Sequence, residues 1–386
     1  MTMALEGELI VRLACDARRV RQVAVRSSRP MIAARVLTGK TAVDAAAVVP
    51  KLFSICGGAQ GTAAAAALAA AGATGREFEF GSREREVMLE ALQDTFWHLL
   101  IDWPNTMGTA PCATAVAAAR FQIASSMRAT DGTPRLNDAT AMHELGVSLS
   151  AIAAQAIFGM PPAAWQQLSG VEALQAWCAR RETVPAILLG HVLTDWPALG
   201  RSATTLMPPS QSDTLLRVIV PALRNEPEFS RAPNWAGEPV ETGGLARMRE
   251  DPLVQAVQHR FGNAVVTRLV ARLAELVRLL RELLGPEPQT AVPRRVRSVA
   301  LGTGEGLAAV ETARGLLLHR ARLQEHCVVD YQIVAPTEWN FHPDGALVHG
   351  LEGLEADDDQ HLIGAARLAV HALDPCVAFR VEVGHA

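Results

Sequence analysis

Two cysteines stand in settings that suit chemistry more than packing. Cys376 follows Asp374-Pro375 in the stretch Leu373-Asp374-Pro375-Cys376-Val377-Ala378-Phe379. Cys56 lies 320 residues upstream, in Ser54-Ile55-Cys56-Gly57-Gly58-Ala59-Gln60-Gly61. Each reads as one half of a metal-ligand pair whose second cysteine is missing. Thiolates are soft donors and select soft transition ions. Glycines beside Cys56 let backbone approach without a Cβ in the way. Pro375 bars Asp374 from the α region, so a preceding helix must end there and hold Cys376 at a fixed point. The expectation is that the fold brings Cys56 and Cys376 together. Cys15, Cys112, Cys178 and Cys327 have no such setting and read as buried thiols. Glu311 and His342 are further candidates for the lining of the same pocket, or for satisfied structural roles.

Two other motifs do not survive inspection. Gly39-Lys40-Thr41 resembles the end of a phosphate loop, but the glycine needed five residues before Gly39 is Ala34. Thr41 reads instead as a helix cap. His143-Glu144 would need a second histidine at Val147 to be a zinc-protease helix. His98 reads as a structural residue on a helix.

The elements that must position the cysteines can be read from periodicity. Glu8–Ala14 and Val20–Arg26 alternate around a short turn, an N-terminal β-hairpin with Leu9, Val11 and Leu13 on one face. The Ala-rich stretch from Thr41 to about Ala71 is helical, broken at Pro50 and at the glycines around Cys56. A second helix begins near Ser82, with Glu84 and Glu86 in its first turn and Met88, Leu92, Phe96 and Leu99 as its apolar stripe. Further helices are expected at about 111–127, 138–158, 163–179 and 184–194, and 200–244 reads as irregular connection. Leu253 to Leu284 reads as one long helix, stopped by Gly285-Pro286, with its arginines on a solvated face. Gly315–Leu323 and His326–Val334 form a second hairpin. An irregular polar segment over Pro336–Pro343 and a final helix from Asp357–Asp359 through Val370 complete the chain. The predicted class is α+β and mostly helical: one domain over 1–386, with a hairpin in 1–35, a helical core in 41–285, and a hairpin, loop and helix in 290–386.

Composition bounds the function. The 36 basic and 40 acidic residues leave no polycationic footprint for nucleic acid. No run of about 18 apolar residues suggests a membrane span, and the first residues lack a secretory signal. Six scattered cysteines in such a chain fit a reducing compartment, so a cytoplasmic location is expected.

At this point several stretches carry a resemblance. Cys56-Gly57 and its flanks are similar to the N-terminal Cys-Gly-x-Cys-x-x-x-His of nickel-iron hydrogenase large subunits, and Asp374-Pro375-Cys376 to their C-terminal Asp-Pro-Cys-x-x-Cys-x-x-His. Leu5-Glu6-Gly7 resembles the family's N-terminal strand. Glu241-Thr242-Gly243-Gly244-Leu245-Ala246-Arg247 resembles its Gly-Pro-Leu-Ala-Arg segment. Val310-Glu311-Thr312-Ala313-Arg314-Gly315, followed by His319, resembles its Glu-Ala-Pro-Arg-Gly hairpin entry, and Pro336-Thr337-Glu338-Trp339-Asn340 its Pro-Thr-Thr-Trp-Asn loop. These six stretches occur in family order over nearly the whole chain, and they imply the large-subunit fold with a central long-helix bundle.

The resemblance also implies what is missing. The family's enzymes hold nickel with four thiolates, two of which bridge to an iron carrying cyanide and carbon monoxide. Here Ala59 and Ala63 stand where the second N-terminal cysteine and its histidine would be, and Phe379 and Glu382 where the C-terminal ones would be. Cys56 and Cys376 match the positions that bind nickel terminally. The expectation is no complete nickel site, no hydrogen-splitting enzyme and no tail for a maturation protease after Ala386. This pattern resembles the large-subunit-like maturation proteins of the HupK/HoxV type. They are non-enzymatic scaffolds expected to carry the Fe(CN)2(CO) unit transiently, with small maturation chaperones and the immature large subunit as partners. A metal-free docking protein and a divergent redox enzyme are the alternatives.

Overall fold

A computed structural model describes residues 7–385 apart from 17, 31–32, 54, 79–82, 128–135, 209–212 and 286–293. Leu5 and Glu6 therefore lie outside the described residues. The centre of the molecule is the helix Val265–Leu284. Val265, Leu269, Leu273, Leu276 and Leu280 are all buried along it, as the three-to-four residue spacing predicts. Around it pack the helices Arg83–Trp97, Ala139–Ala153, Val184–Asp195 and Asp359–Leu373.

Three expectations about helices are corrected. Leu253–Leu284 is two helices, Pro252–Phe261 and Val265–Leu284. They are separated where Gly262 adopts φ +72°, a conformation that glycine accepts without strain. The segment 163–179 likewise divides into Pro162–Trp165 and Gly170–Ala179. The stretch 200–244 contains a helix, Asp213–Asn225, that runs through Pro221. The arginines of the central helix do not form a solvated face. Arg268 binds Glu241 in a two-pronged pair at 2.8 and 2.9 Å, Arg272 reaches Asp374 at 2.9 Å, and all four side chains are buried. The helix is thus buried along most of its length, and the charges of Arg268 and Arg272 persist there because each finds an opposite charge.

Both hairpins belong to larger sheets. Glu8–Asp16 and Arg19–Ser27 pair antiparallel, and the final strand Ala378–His385 joins them in parallel with Glu8–Asp16. The second sheet is a four-stranded meander of Val296–Gly302, Glu305–Thr312, Gly315–Gln324 and Cys327–Val334. Thr41 caps the helix Ala42–Val48 by accepting the Asp44 N–H. A second alanine-rich helix, Gly57–Ala70, then lies flat on the meander. It is buried from Ala59 to Leu68, as an apolar helix with no polar face must be. A Cβ at Gly306 would run into the Ala67 carbonyl, so only glycine permits this approach. Pro336–Asn340 is a short helix, not an irregular segment. Among the described residues one helix, Ala139–Phe158, with mean hydropathy 1.2, is long and apolar enough to cross a membrane. In this fold it packs in the core, with Leu145 and Leu149 buried and Gly146 against Leu283 and Leu284.

Candidate metal centre

Cys56 occupies the N-cap place of the helix Gly57–Ala70. Its own side chain does not cap. Instead Glu90, reaching from the helix Arg83–Trp97, accepts the N–H groups of Gly58 at 2.7 Å and Ala59 at 3.0 Å. These are amides that a helix start leaves without partners. The loop fits tightly: a Cβ on Gly57 would meet the Pro50 carbonyl at 2.8 Å, and one on Gly58 the Glu90 carboxylate at 2.6 Å. The half-buried Cys56 is freed from capping and ends a buried polar chain. Tyr331 lies 2.8 Å from His319 Nδ1, His319 Nε2 lies 2.8 Å from Gln60 Oε1, and the Gln60 amide donates to the Cys56 sulfur at 3.7 Å. Burial holds His319 down to about 3, so it stays neutral within this chain.

Cys376 lies between the end of the helix Asp359–Leu373 and the final strand. Asp374 takes a left-handed conformation, φ 52° and ψ 76°, which ends the helix before Pro375 as the sequence predicts. The buried sulfur receives an N–H from Arg29 at 2.9 Å and lies 3.0 Å from the Thr337 hydroxyl. Thr337 also accepts the Cys376 backbone N–H at 3.3 Å. Arg29 is held in turn by Glu338 at 3.3 and 3.4 Å.

The two cysteines lie near enough for Cys56 to feel the Cys376 sulfur and for both to act on the same two arginines. Burial, then the Cys376 sulfur and Glu90, push the Cys56 thiol well above its ordinary value, while Arg314 and Arg29 pull the other way. Both arginines feel both sulfurs. Arg314 is anchored by Asp94 at 2.7 Å and lies 3.4 Å from Asp374. Burial would raise Asp374, but Arg314, then His98 and Arg272, hold it well below the usual carboxylate range. Burial instead raises Asp94 and Glu338 despite their arginine partners. A cavity of about 600 Å³ opens onto Cys376, Asp374, Arg314 and Asp94.

Glu311 and His342 do not line that cavity. Glu311 pairs with Arg247 at 2.9 Å beside a different pocket, and the His342 ring accepts the Asp344 N–H at 3.0 Å. Cys15 and Cys178 are buried, but Cys112 and Cys327 are only half-buried, which corrects the reading of all four as core thiols. Ala59 and Ala63 are fully buried and carry no donor atom. Phe379 stacks edge-on against His371 with centroids 5.0 Å apart, and Glu382 is tied to Arg12 and Arg380 on the outer strand. The residues that reasoning from sequence missed are Arg29, Glu90, Asp94 and the role of Thr337. Thr337 and Arg314 sit within quoted motifs and were there to be found. Arg29, Glu90 and Asp94 carry no local signal.

Comparison with known proteins agrees with this architecture. Residues 260–382 match the family model for nickel-dependent hydrogenase. The chain is 32% identical over 371 residues to the hydrogenase expression/formation protein HoxV of Cupriavidus necator, covering 93% of this chain and 92% of that one. It is 32% identical over 394 residues to the expression/formation protein HupK of Azotobacter vinelandii, covering 99% and 100%. Among solved structures, the Ni-Fe-Se hydrogenase of D. vulgaris Hildenborough superposes with TM-score 0.55 at 17% identity over 94% of both chains. That likeness shows the fold, a mostly helical hydrogenase large-subunit architecture. With identity at this level over nearly its whole length, the chain belongs to the HoxV/HupK/HupV family of hydrogenase expression/formation proteins.

Proposed function

We propose that this protein is a non-enzymatic scaffold in hydrogenase maturation that carries the Fe(CN)2(CO) unit as cargo between Cys56 and Cys376 and hands it to the immature large subunit. The observation that carries the reading is the pairing of two soft donors with cationic partners. The two sulfurs share the fields of Arg29 and Arg314, and Arg29 also donates an N–H to the Cys376 sulfur at 2.9 Å. A dicyano iron held by two thiolates is anionic and presents acceptor nitrogens. The donor set therefore fits it in softness, charge and hydrogen bonding. Two thiolates also give a weaker hold than the four of a complete nickel site, which suits delivery over retention.

In this role Thr337 and Arg29 orient the Cys376 sulfur, and Gln60 orients that of Cys56. Binding requires both thiols to lose their protons, and at Cys56 Arg314 and Arg29 oppose the burial that raises it. Small maturation chaperones and the immature large subunit are the partners, in the cytoplasm, where the free thiols among the described residues stay reduced. One observation favours a second reading, a metal-free docking protein: without metal, burial keeps Cys56 protonated.

Infrared spectroscopy and metal analysis separate the two. Protein is purified without oxygen from cells containing the maturation machinery, with Cys56→Ala and Cys376→Ala beside it. Cyanide and carbonyl bands present in the native protein and absent from both variants are expected. Native protein without bands or iron would leave only the docking role.

A further inference from the structure

A second group of ligating side chains lies beside the thiol pair and plays no part in the proposed iron hold. His98, Asp102 and His371 place their donor atoms all within 4.8 Å of one another. His98 and Asp102 begin and end a π-helical turn, His98–Asp102, which continues the helix Arg83–Trp97. The wider turn puts residues four apart side by side, with Asp102 Oδ2 3.1 Å from His98 Nδ1. Such turns often occur at functional sites. His371 comes from the last turn of the helix Asp359–Leu373, five residues before Cys376.

We infer that His98, Asp102 and His371 form a binding site for a divalent first-row transition ion with nitrogen and oxygen donors. Three observations point there. First, His98 Nε2 lies 3.0 Å from the His371 carbonyl. That outer-side bond fixes a ligating histidine's tautomer and turns its other nitrogen toward the metal, here toward Asp102 and His371. Second, Asp374 Oδ1 lies 3.6 Å from His98 Nδ1, so a second carboxylate faces the same point. Third, Asp102, His371 and Asp374 all border the 600 Å³ cavity, which gives an ion a route in and room for water ligands. Two imidazoles and a carboxylate suit borderline ions such as Fe(II), Co(II), Ni(II) and Zn(II), and lack the all-oxygen set of Mg(II) or Ca(II). A bound ion would clamp the end of the last helix to the π-helical turn, and so fix the backbone that leads into Cys376.

Cobalt(II) titration of the Cys56→Ala/Cys376→Ala double variant tests the site without drawing on the iron-carrier reading. The expected result is one equivalent bound, with weak visible ligand-field bands and no intense thiolate-to-cobalt band. Adding Asp102→Asn or His371→Gln should weaken binding by at least about tenfold, as a lost ligand costs no less than a lost outer partner. Circular dichroism checks that each variant is folded, and half-exposed Asp102 keeps the test available should His371→Gln fail to fold. No binding by the double variant, a thiolate band, or unchanged affinity in the Asp102→Asn protein would overturn the assignment.

Discussion

Replacing Glu90 with glutamine isolates the carboxyl that holds the cysteine loop. In the native protein it accepts two amides, from Gly58 and Ala59. Burial and the nearby Asp94 outweigh these bonds and raise it from 4.5 to about 7. The unfolded chain returns it to its ordinary value. Between those two pH values the folded protein holds a proton that the unfolded chain has released, so stability falls as pH rises through this window and levels off above it. A displacement from 4.5 to about 7 amounts to at most ~3 kcal/mol. Partial exposure of the side chain to water brings this down to about 1–2 kcal/mol. Glutamine does not titrate, and any change it makes in amide binding is independent of pH. The unfolding free energy of Glu90→Gln minus that of the native protein should therefore grow by about 1–2 kcal/mol between roughly pH 5 and 8.5. Urea unfolding followed by circular dichroism at both pH values measures it, with titrations not coupled to Glu90 cancelling in the difference. A difference that stays constant with pH would refute the reasoning.

Two further perturbations test the buried network. Glu241→Gln should cost about 3–5 kcal/mol by stranding the buried Arg268 guanidinium, and combining Glu241→Leu with Arg268→Met should recover most of it; urea midpoints of single and double variants decide. Tyr331→Phe should keep the fold but lose about 1–3 kcal/mol, because His319 Nδ1 would then be a buried acceptor without a donor. Equal stability of native protein and Tyr331→Phe would mean that the Tyr331–His319–Gln60 chain contributes nothing.

Much of the scaffold was legible in the sequence because its signals are local. The Thr41 cap, the glycine break at Cys56, the stripe Met88–Leu92–Phe96–Leu99 and the stop at Asp374-Pro375 each depend on residues within a turn or two. What was lost depends on distant partners or on masking residues. Prolines hid the helix Asp213–Asn225, although a proline can lie within a helix whose neighbours support it. Gly262 divided a pattern whose apolar spacing runs on across the break. The arginines of the central helix looked solvated because Asp374, the partner of Arg272, lies 102 residues away. The strand Ala378–His385 alternates clearly, with Phe379, Val381 and Val383 packed against the core, but a reading centred on ligand spacing passed over it. At the site, the cysteines declared themselves through their flanking glycines and proline. Arg29, Glu90 and Asp94 did not, since one buried charge looks like any surface charge until its surroundings are known.

The parallel pairing of the final strand with Glu8–Asp16 has a consequence in time. Cys376 is set in place when residues 378–385 dock beside Glu8–Asp16, a strand made long before it. Synthesis of the 320 residues from Gly57 to Cys376 takes on the order of tens of seconds at ordinary elongation rates. Throughout that interval Cys56 is displayed without Cys376, while Cys15 and then Cys112, Cys178 and Cys327 are the thiols present. In the carrier role proposed above, the nascent chain therefore cannot capture cargo through this pair before Cys376 has been made and docked.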